Sequence, residues 1–336
     1  MRTKKRVLIF ILLLMLHSVI LLAGFIGPCD PAEQDRMLPY APPTKIHFVE
    51  ASGFRWRPFV YLQEPSIDGY RQDISRSYAI RFFERGYGYK VLGLFNSNLH
   101  LFEVDKPARI LLLGTDAYGR DEFSRVLWGG QISVTAGLLA TLLALFAGTI
   151  MGMVSGYYGH WIDESLMGTA ELFLSLPWLY FLLMVRAFLP LHVSPTATFL
   201  LLITVIGLIG WARPARLIRG VVLTARTHNY VLAARGFGGT DFYILRRHIV
   251  PQVFGVLLTQ AALLVPQYVA AEVTLSFFGL GVSEPTPSWG NMLSVLQQYS
   301  VLVSYRWLLA PAGALVITSV MYWLLADAIH YWLQSR

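Results

Sequence analysis

From Ile132 to Val154 the chain runs for 23 residues without one Asp, Glu, Lys or Arg. As an α-helix such a run exceeds the roughly 30 Å thickness of a bilayer's hydrocarbon core. A backbone in lipid must satisfy its own hydrogen bonds, so the run reads as a membrane-spanning helix. Composition agrees. The 336 residues are 55% hydrophobic and only 14% charged, where soluble domains carry about 25% charged residues. The net charge of +7 fits arginine concentrated in cytoplasmic loops better than contact with nucleic acid, and no nucleic-acid partner is expected.

Five further apolar segments read as spans, giving six in all. Val7–Ile26 follows Arg2, Lys4, Lys5 and Arg6, which predicts an uncleaved first helix with its N-terminus inside. A cleaved signal peptide is the rival, and Gly27-Pro28-Cys29-Asp30 is a poor cleavage site. Leu166–Phe188 is broken by Pro177 and carries Glu171 and Arg186. Pro195–Ala212 follows, then Ile249–Phe278 with Pro251, Pro266 and Glu272, then Trp307–Trp332 with Asp327. Between the fourth and fifth spans lie Arg213, Arg216, Arg219, Arg226, Arg235, Arg246 and Arg247, against the single acid Asp241. That makes residues 213–248 a cytoplasmic loop, and four crossings from an inside start agree. Both termini are then cytoplasmic, while Gly27–Arg125 and Ser283–Arg306 lie outside.

Residues 27–125 are of another material, with 13 acids and 13 bases among many prolines and aromatics. The run HFVEASGFRWRPFVYL (residues 47–62) has the aromatic and β-branched content of a strand pair. The division expected is therefore 1–26 as cytoplasmic N-terminus and first span, 27–125 as a small extracytoplasmic α/β or β-containing insertion, and 126–336 as a helical core. Cys29 is the lone cysteine, so no intramolecular disulfide can form.

Several chemistries have no sequence support. No Gly-Lys dipeptide occurs, and no lysine follows Lys106, so a phosphate loop is missing and the chain is not expected to hydrolyse ATP. Neither a His/Cys metal-ligand spacing nor a Gly-x-Ser-x-Gly elbow is present. No catalytic residue, metal or bound cofactor is expected, although residues 27–113 leave open a membrane-anchored enzyme or sensor. A secondary carrier or channel is the other alternative. His17, Glu171, Arg186, Glu272 and Asp327 are ionisable groups inside spans, and Glu171 and Glu272 are the deeper ones. Glu171 and Glu272 each read as a carboxylate capped by a neighbouring helix or subunit, or as part of a substrate path. Gly148, Gly152 and Gly156 recur at i, i+4, i+8, with Gly137 near the same face, forming a ridge that admits a close helix neighbour.

Four motifs remain. They are Gly114-Thr115-Asp116-Ala117-Tyr118-Gly119-Arg120-Asp121 with Ser124-Arg125; Ser155-Gly156-Tyr157-Tyr158-Gly159 with Asp163; Tyr230-Val231-Leu232-Ala233-Ala234-Arg235 through Gly238, then Arg247-His248-Ile249-Val250-Pro251; and Glu272 through Gly281, with Pro285 and Ser288-Trp289-Gly290. In this order they resemble the C-type permease subunit of dipeptide/oligopeptide/nickel ABC importers, over roughly residues 113–330.

The resemblance implies an all-α membrane protein of the type I ABC importer permease fold, in a bacterial inner membrane. It implies a second homologous permease, two ATPase subunits holding ATP and Mg, and an extracytoplasmic substrate-binding protein as partners, besides membrane lipid. The third motif is similar to the family's cytoplasmic EAA loop, a short helix that couples to the ATPase. Val231, Leu232, Ala233, Ala234, Arg235, Gly238 and Asp241 would serve that coupling. Small alanines allow close approach, Gly238 frees the backbone to turn, and Asp241 would cap a following helix. Glu272, Ser288 and Trp289 would belong to an outer gate or pathway. This chain departs from the pattern at Leu232, where the family has Glu, and at Gly168, where relatives often have Arg. Asp327 keeps the acid of a common ending without its flanks.

Overall fold

The structure is a computed structural model that describes residues 2–50, 53–67, 69–91, 93–177, 180–181, 183–184 and 194–334. The chain divides into two compact units. One gathers Met1–Leu13, Val134–Leu275 and Thr318–Arg336; the other gathers Leu14–Ser133 and Ser276–Ile317.

Among the described residues, four helical stretches are long and apolar enough to cross a membrane: Glu122–Tyr158, Thr196–Ala225, Asp241–Phe277 and Arg306–Gln334. The N-terminal helix α1 (Arg2–Leu21) has a shorter apolar part, Val7–Leu21, and the short α2 (Ala23–Ile26) follows it. The expected span 166–188 is helical at its start, in α4, and its later residues fall partly outside the described set.

The first unit is helical. Helix α3 (Glu122–Tyr158) enters it from Val134 onward and is followed by α4 (His160–Ser175), α5 (Pro195–Ile209) and α6 (Ala212–Ala225). The expected boundary at Arg213 is not a loop. Ala212, Ala215, Ile218, Val222 and Ala225 are buried along one face of α6, so apolar periodicity continues the helix while its arginines occupy the remaining faces. The glycine ridge makes this packing possible. A methyl group at Gly148 would stand 2.8 Å from the Trp211 carbonyl oxygen, and one at Gly152 2.5 Å from that of Ala215. At Gly156 it would stand 2.8 Å from Val222 Cβ. Helices α3 and α6 thus approach at backbone distance. Gly137 meets Val265 and Val269 instead, on α9 (Val250–Phe277). The last helix, α12 (Ala310–Gln334), contributes its C-terminal part to this unit.

The second unit contains the β structure. Strands β1 (His47–Glu50), β2 (Gly53–Ser66) and β3 (Gly69–Ala79) form an antiparallel sheet, with Val60 opposite Tyr78. The strand pair expected at 47–62 is β1 with the first part of β2. Strands β4 (Arg81–Val91) and β5 (Phe95–Glu103) form a separate hairpin. Val60, Tyr78, Ile80, Val104, Ala108 and Ile110 make one small core. His100 is fully buried, with its ring nitrogens 3.0 Å from the Gly27 carbonyl oxygen and 2.9 Å from that of Tyr87.

Candidate functional site

Beyond α6 the chain turns into α7 (Asn229–Gly236), then α8 (Asp241–Ile244), a π-turn at Leu245–Ile249, and α9. The segment is anchored by alternation of inward and outward residues. Val231, Ile244 and Ile249 are buried with Tyr157, Ile218, Val222, Ala225 and Val253 in one apolar cluster. Leu232, Phe237 and Phe242 point away from it and are 51%, 92% and 72% exposed. Ala233 is exposed and Ala234 half-buried.

Helix α7 ends where the sequence expects. Gly238 has φ +80, its amide donates to the Arg235 carbonyl, and the Gly239 amide donates to that of Ala234. A side chain at Gly238 would meet nothing within 4 Å, so its requirement for glycine is one of backbone conformation. One expectation is corrected. The N-cap of α8 is Thr240, whose hydroxyl accepts from the Tyr243 amide at 3.3 Å. Asp241 is the first helical residue. Thr240 has the extended backbone a cap requires (φ −68, ψ 154).

The Asp241 carboxylate instead serves a polar network. It accepts from the Tyr157 hydroxyl at 2.7 Å, and that hydroxyl accepts from Arg235 at 3.0 Å. The Arg235 guanidinium also lies 5.4 Å from the centre of the Tyr157 ring. Arg226 donates to the Gly156 carbonyl at 3.0 Å. One turn along, Asp163 on α4 accepts from Ser155 and from Arg219 Nε and Nη2, each at 2.5 Å. Arg219 and the Ser155 hydroxyl hold the Asp163 carboxyl below the usual carboxylate range. The end of α3 is thereby clamped to α4, α6 and the α7–α8 segment.

The other expected site residues lie elsewhere. Glu272 is fully buried on α9 in the first unit. Glu171 is exposed on α4, 3.2 Å from Arg216. Ser288 and Trp289 belong to the second unit and start α10 (Trp289–Ser294), which α11 (Tyr299–Ser304) follows. There Ser288 and Asn291 form a capping box, and the Trp289 indole donates to the Val126 carbonyl at 2.9 Å. Among the described residues, no group of three His, Cys, Asp or Glu side chains is arranged to hold a metal ion. The motif residues Tyr157 and Asp163 are legible as a pattern, but their pairing with Asp241, Arg235 and Arg219 is not. It joins positions as much as 84 residues apart.

The profile of the family described as binding-protein-dependent transport system inner membrane component matches residues 144–336. This stretch includes Tyr157, Asp163 and the whole of α6 to α8. The chain belongs to this family. It is 36% identical over 218 residues to the dipeptide transport system permease protein DppC of Bacillus subtilis, covering 64% of this chain and 66% of that protein. It is 35% identical over 235 residues to the oligopeptide transport system permease protein OppC of the same species, covering 69% and 74%. With the Escherichia coli oligopeptide permease protein OppC the identity is 38% over 216 residues, covering 64% and 69%. The match to the first of these relatives thus spans just under two thirds of its length.

Proposed function

We propose that this chain is the membrane permease subunit of an ATP-driven importer. It would form part of a path for peptides or a similar small solute, in a bacterial inner membrane. A second homologous permease would complete that path. Two ATPase subunits, which hold the ATP and Mg, would bind from the cytoplasm, and a substrate-binding protein would deliver cargo from outside. Six spans, cytoplasmic termini and an extracytoplasmic placement of the β-containing insertion complete the arrangement.

One observation carries the proposal. The α7–Gly238–α8 segment buries Val231 in the helical core yet exposes Leu232, Phe237 and Phe242, five residues apart, with Arg235 between the first two. Exposed large apolar residues on a basic segment, placed on the cytoplasmic side in this reading, suit a protein partner. Leu232 stands where the family has Glu, so this docking face relies on apolar contact. The Tyr157, Arg235 and Asp241 bonds would pass movement of the segment to α3. Coupling requires that the ATPase and the binding protein each favour one of two permease states.

The test is Gly238→Val in the assembled importer. A β-branched residue resists positive φ. The variant should insert normally while ATP-driven uptake falls at least about tenfold. Uptake at the unmutated rate in that variant would sink the proposal.

A further inference from the structure

Helix α6 carries three arginines, and two of them are paired: Arg216 with Glu171 at 3.2 Å, and Arg219 with Asp163. Arg213 is exposed and makes no hydrogen bond or ion pair among the described residues. Nor does it stand at the end of a span. It lies within Thr196–Ala225, a stretch long and apolar enough to cross a membrane. The Ala225 end of α6 shares its apolar cluster with Val231 of α7, and Arg213 is about 18 Å along the helix from it. An unpaired charge at such depth is costly and marks a binding site or a path.

Arg213 borders a cavity of about 150 Å³ inside the first unit. Gln267 of α9 lines the same cavity. It is half-buried, and among the described residues its carboxamide makes no hydrogen bond and is not sealed from solvent, so an incoming group can reach it. Tyr268 beside it is already satisfied, its hydroxyl donating to the Gly210 carbonyl at 3.2 Å. Phe173, Ile206 and Leu264 supply an apolar wall. The two open polar groups name the ligand. A guanidinium takes a carboxylate through two parallel N–H bonds. A carboxamide both donates and accepts, which matches a peptide group and leaves a lipid acyl chain no match. The volume is below the roughly 300–1,000 Å³ that encloses a whole ligand, so the cavity takes one end of a cargo.

We propose that Arg213 and Gln267 bind the C-terminal end of a short peptide. The carboxylate sits on the Arg213 guanidinium, the last peptide group on the Gln267 carboxamide, and an apolar terminal side chain against Phe173, Ile206 and Leu264. The proposal rests on the importer reading for its choice of a peptide over other carboxylates. No Asp or Glu is among the lining residues, so the peptide's ammonium group is not recognised here.

The experiment uses the full chain in nanodiscs of zwitterionic lipid, with the tripeptide Ala-Ala-Leu, its C-terminal amide and its N-acetyl form as probes. The free acid should bind about tenfold or more tighter than the amide, the gain of a charged hydrogen bond, and acetylation should change nothing. Arg213→Gln should bring acid and amide to equal binding. Gln267→Leu should weaken both about fivefold and leave their ratio alone. Equal binding of acid and amide to the unmutated chain, or no saturable binding at all, overturns the site without recourse to a variant. So does a preference for the acid that survives in Arg213→Gln. If phosphatidylglycerol added to the nanodiscs abolishes acid binding, and is itself retained by the unmutated chain but not by Arg213→Gln, the guanidinium holds a lipid phosphate and the peptide site falls. Peptide uptake by cells with and without this chain tests the importer reading separately. If uptake does not depend on the chain, that reading fails. If it does while acid and amide bind alike, only the carboxylate site fails.

Discussion

The Tyr157 hydroxyl stands between two charges, donating to Asp241 at 2.7 Å and accepting from Arg235 at 3.0 Å. Tyr157 is the last residue but one of α3, and the two charged residues flank the Gly238 turn. Tyr157→Phe keeps the buried ring and removes only that bridge. It should lower stability by about 1 kcal/mol, read as a small fall in Tm. On the proposed function, ATP hydrolysis by the assembled importer should continue while uptake per ATP drops. An unchanged uptake-to-hydrolysis ratio would remove Tyr157 from the proposed coupling path.

Glycines separate into two classes by what a methyl would meet. At Gly152 it would stand 2.5 Å from the Ala215 carbonyl oxygen, whereas at Gly168 nothing lies within 4 Å. Gly152→Ala should therefore cost about 1–3 kcal/mol by forcing α3 off α6. Gly168→Ala, inside α4, should be neutral or gain up to about 1 kcal/mol from helix propensity. Unfolding of the two variants side by side checks the contrast, and equal behaviour would contradict the close approach.

Asp163 gives the clamp an acid limit. Its carboxyl is held low by Arg219, so its contribution is full above the ordinary carboxylate value near 4 and is lost as pH falls through the lower, folded value. Both partners are partly exposed, which limits the effect to about 1 kcal/mol. Asp163→Asn should be less stable at neutral pH and lose less on acidification. A melting series from pH 7 to 3 on both chains decides it; parallel curves would discount the pair.

Asp121 behaves in the opposite sense. Burial pushes its carboxyl up to about 6, against the Ser124 amide bond that favours the charged form. Its stabilising effect is full below about 4 and fades as pH rises through about 6. Asp121→Asn keeps an acceptor for Ser124 and should stabilise the Gly114–Arg125 segment at neutral pH by about 2 kcal/mol. Amide exchange in that segment should be slower at pH 5 than at pH 7.5 in the unmutated chain, once corrected for intrinsic rates, and pH-independent in the variant. A variant no more protected than its parent at pH 7.5 would refute this.

Much of this was legible residue by residue. The uncharged run at 132–154 forecast α3, and the aromatic strand content at 47–62 forecast β1 and β2. The glycine spacing forecast a close helix partner, and Gly238 marked the end of α7. The failures are equally local. Arg213 looked like the start of a loop because charge was counted and the buried face of α6 was not. Asp241 looked like a cap because Thr240 and Asp241 are both capping residues, and only the backbone angles at Thr240 distinguish them.

The sequence by itself determined which segments prefer lipid, which carry basic charge, and where the backbone must turn, because those properties belong to single residues and their spacing. Tertiary structure alone decided that Asp163 meets Arg219, that Tyr157 meets Asp241, and that Arg120 and Arg125 both meet Glu284. Such pairings depend on distances between elements far apart in the chain. Those distances follow from how α3 seats its glycines against α6 and, in the second unit, from how Arg120 and Arg125 gather on Glu284.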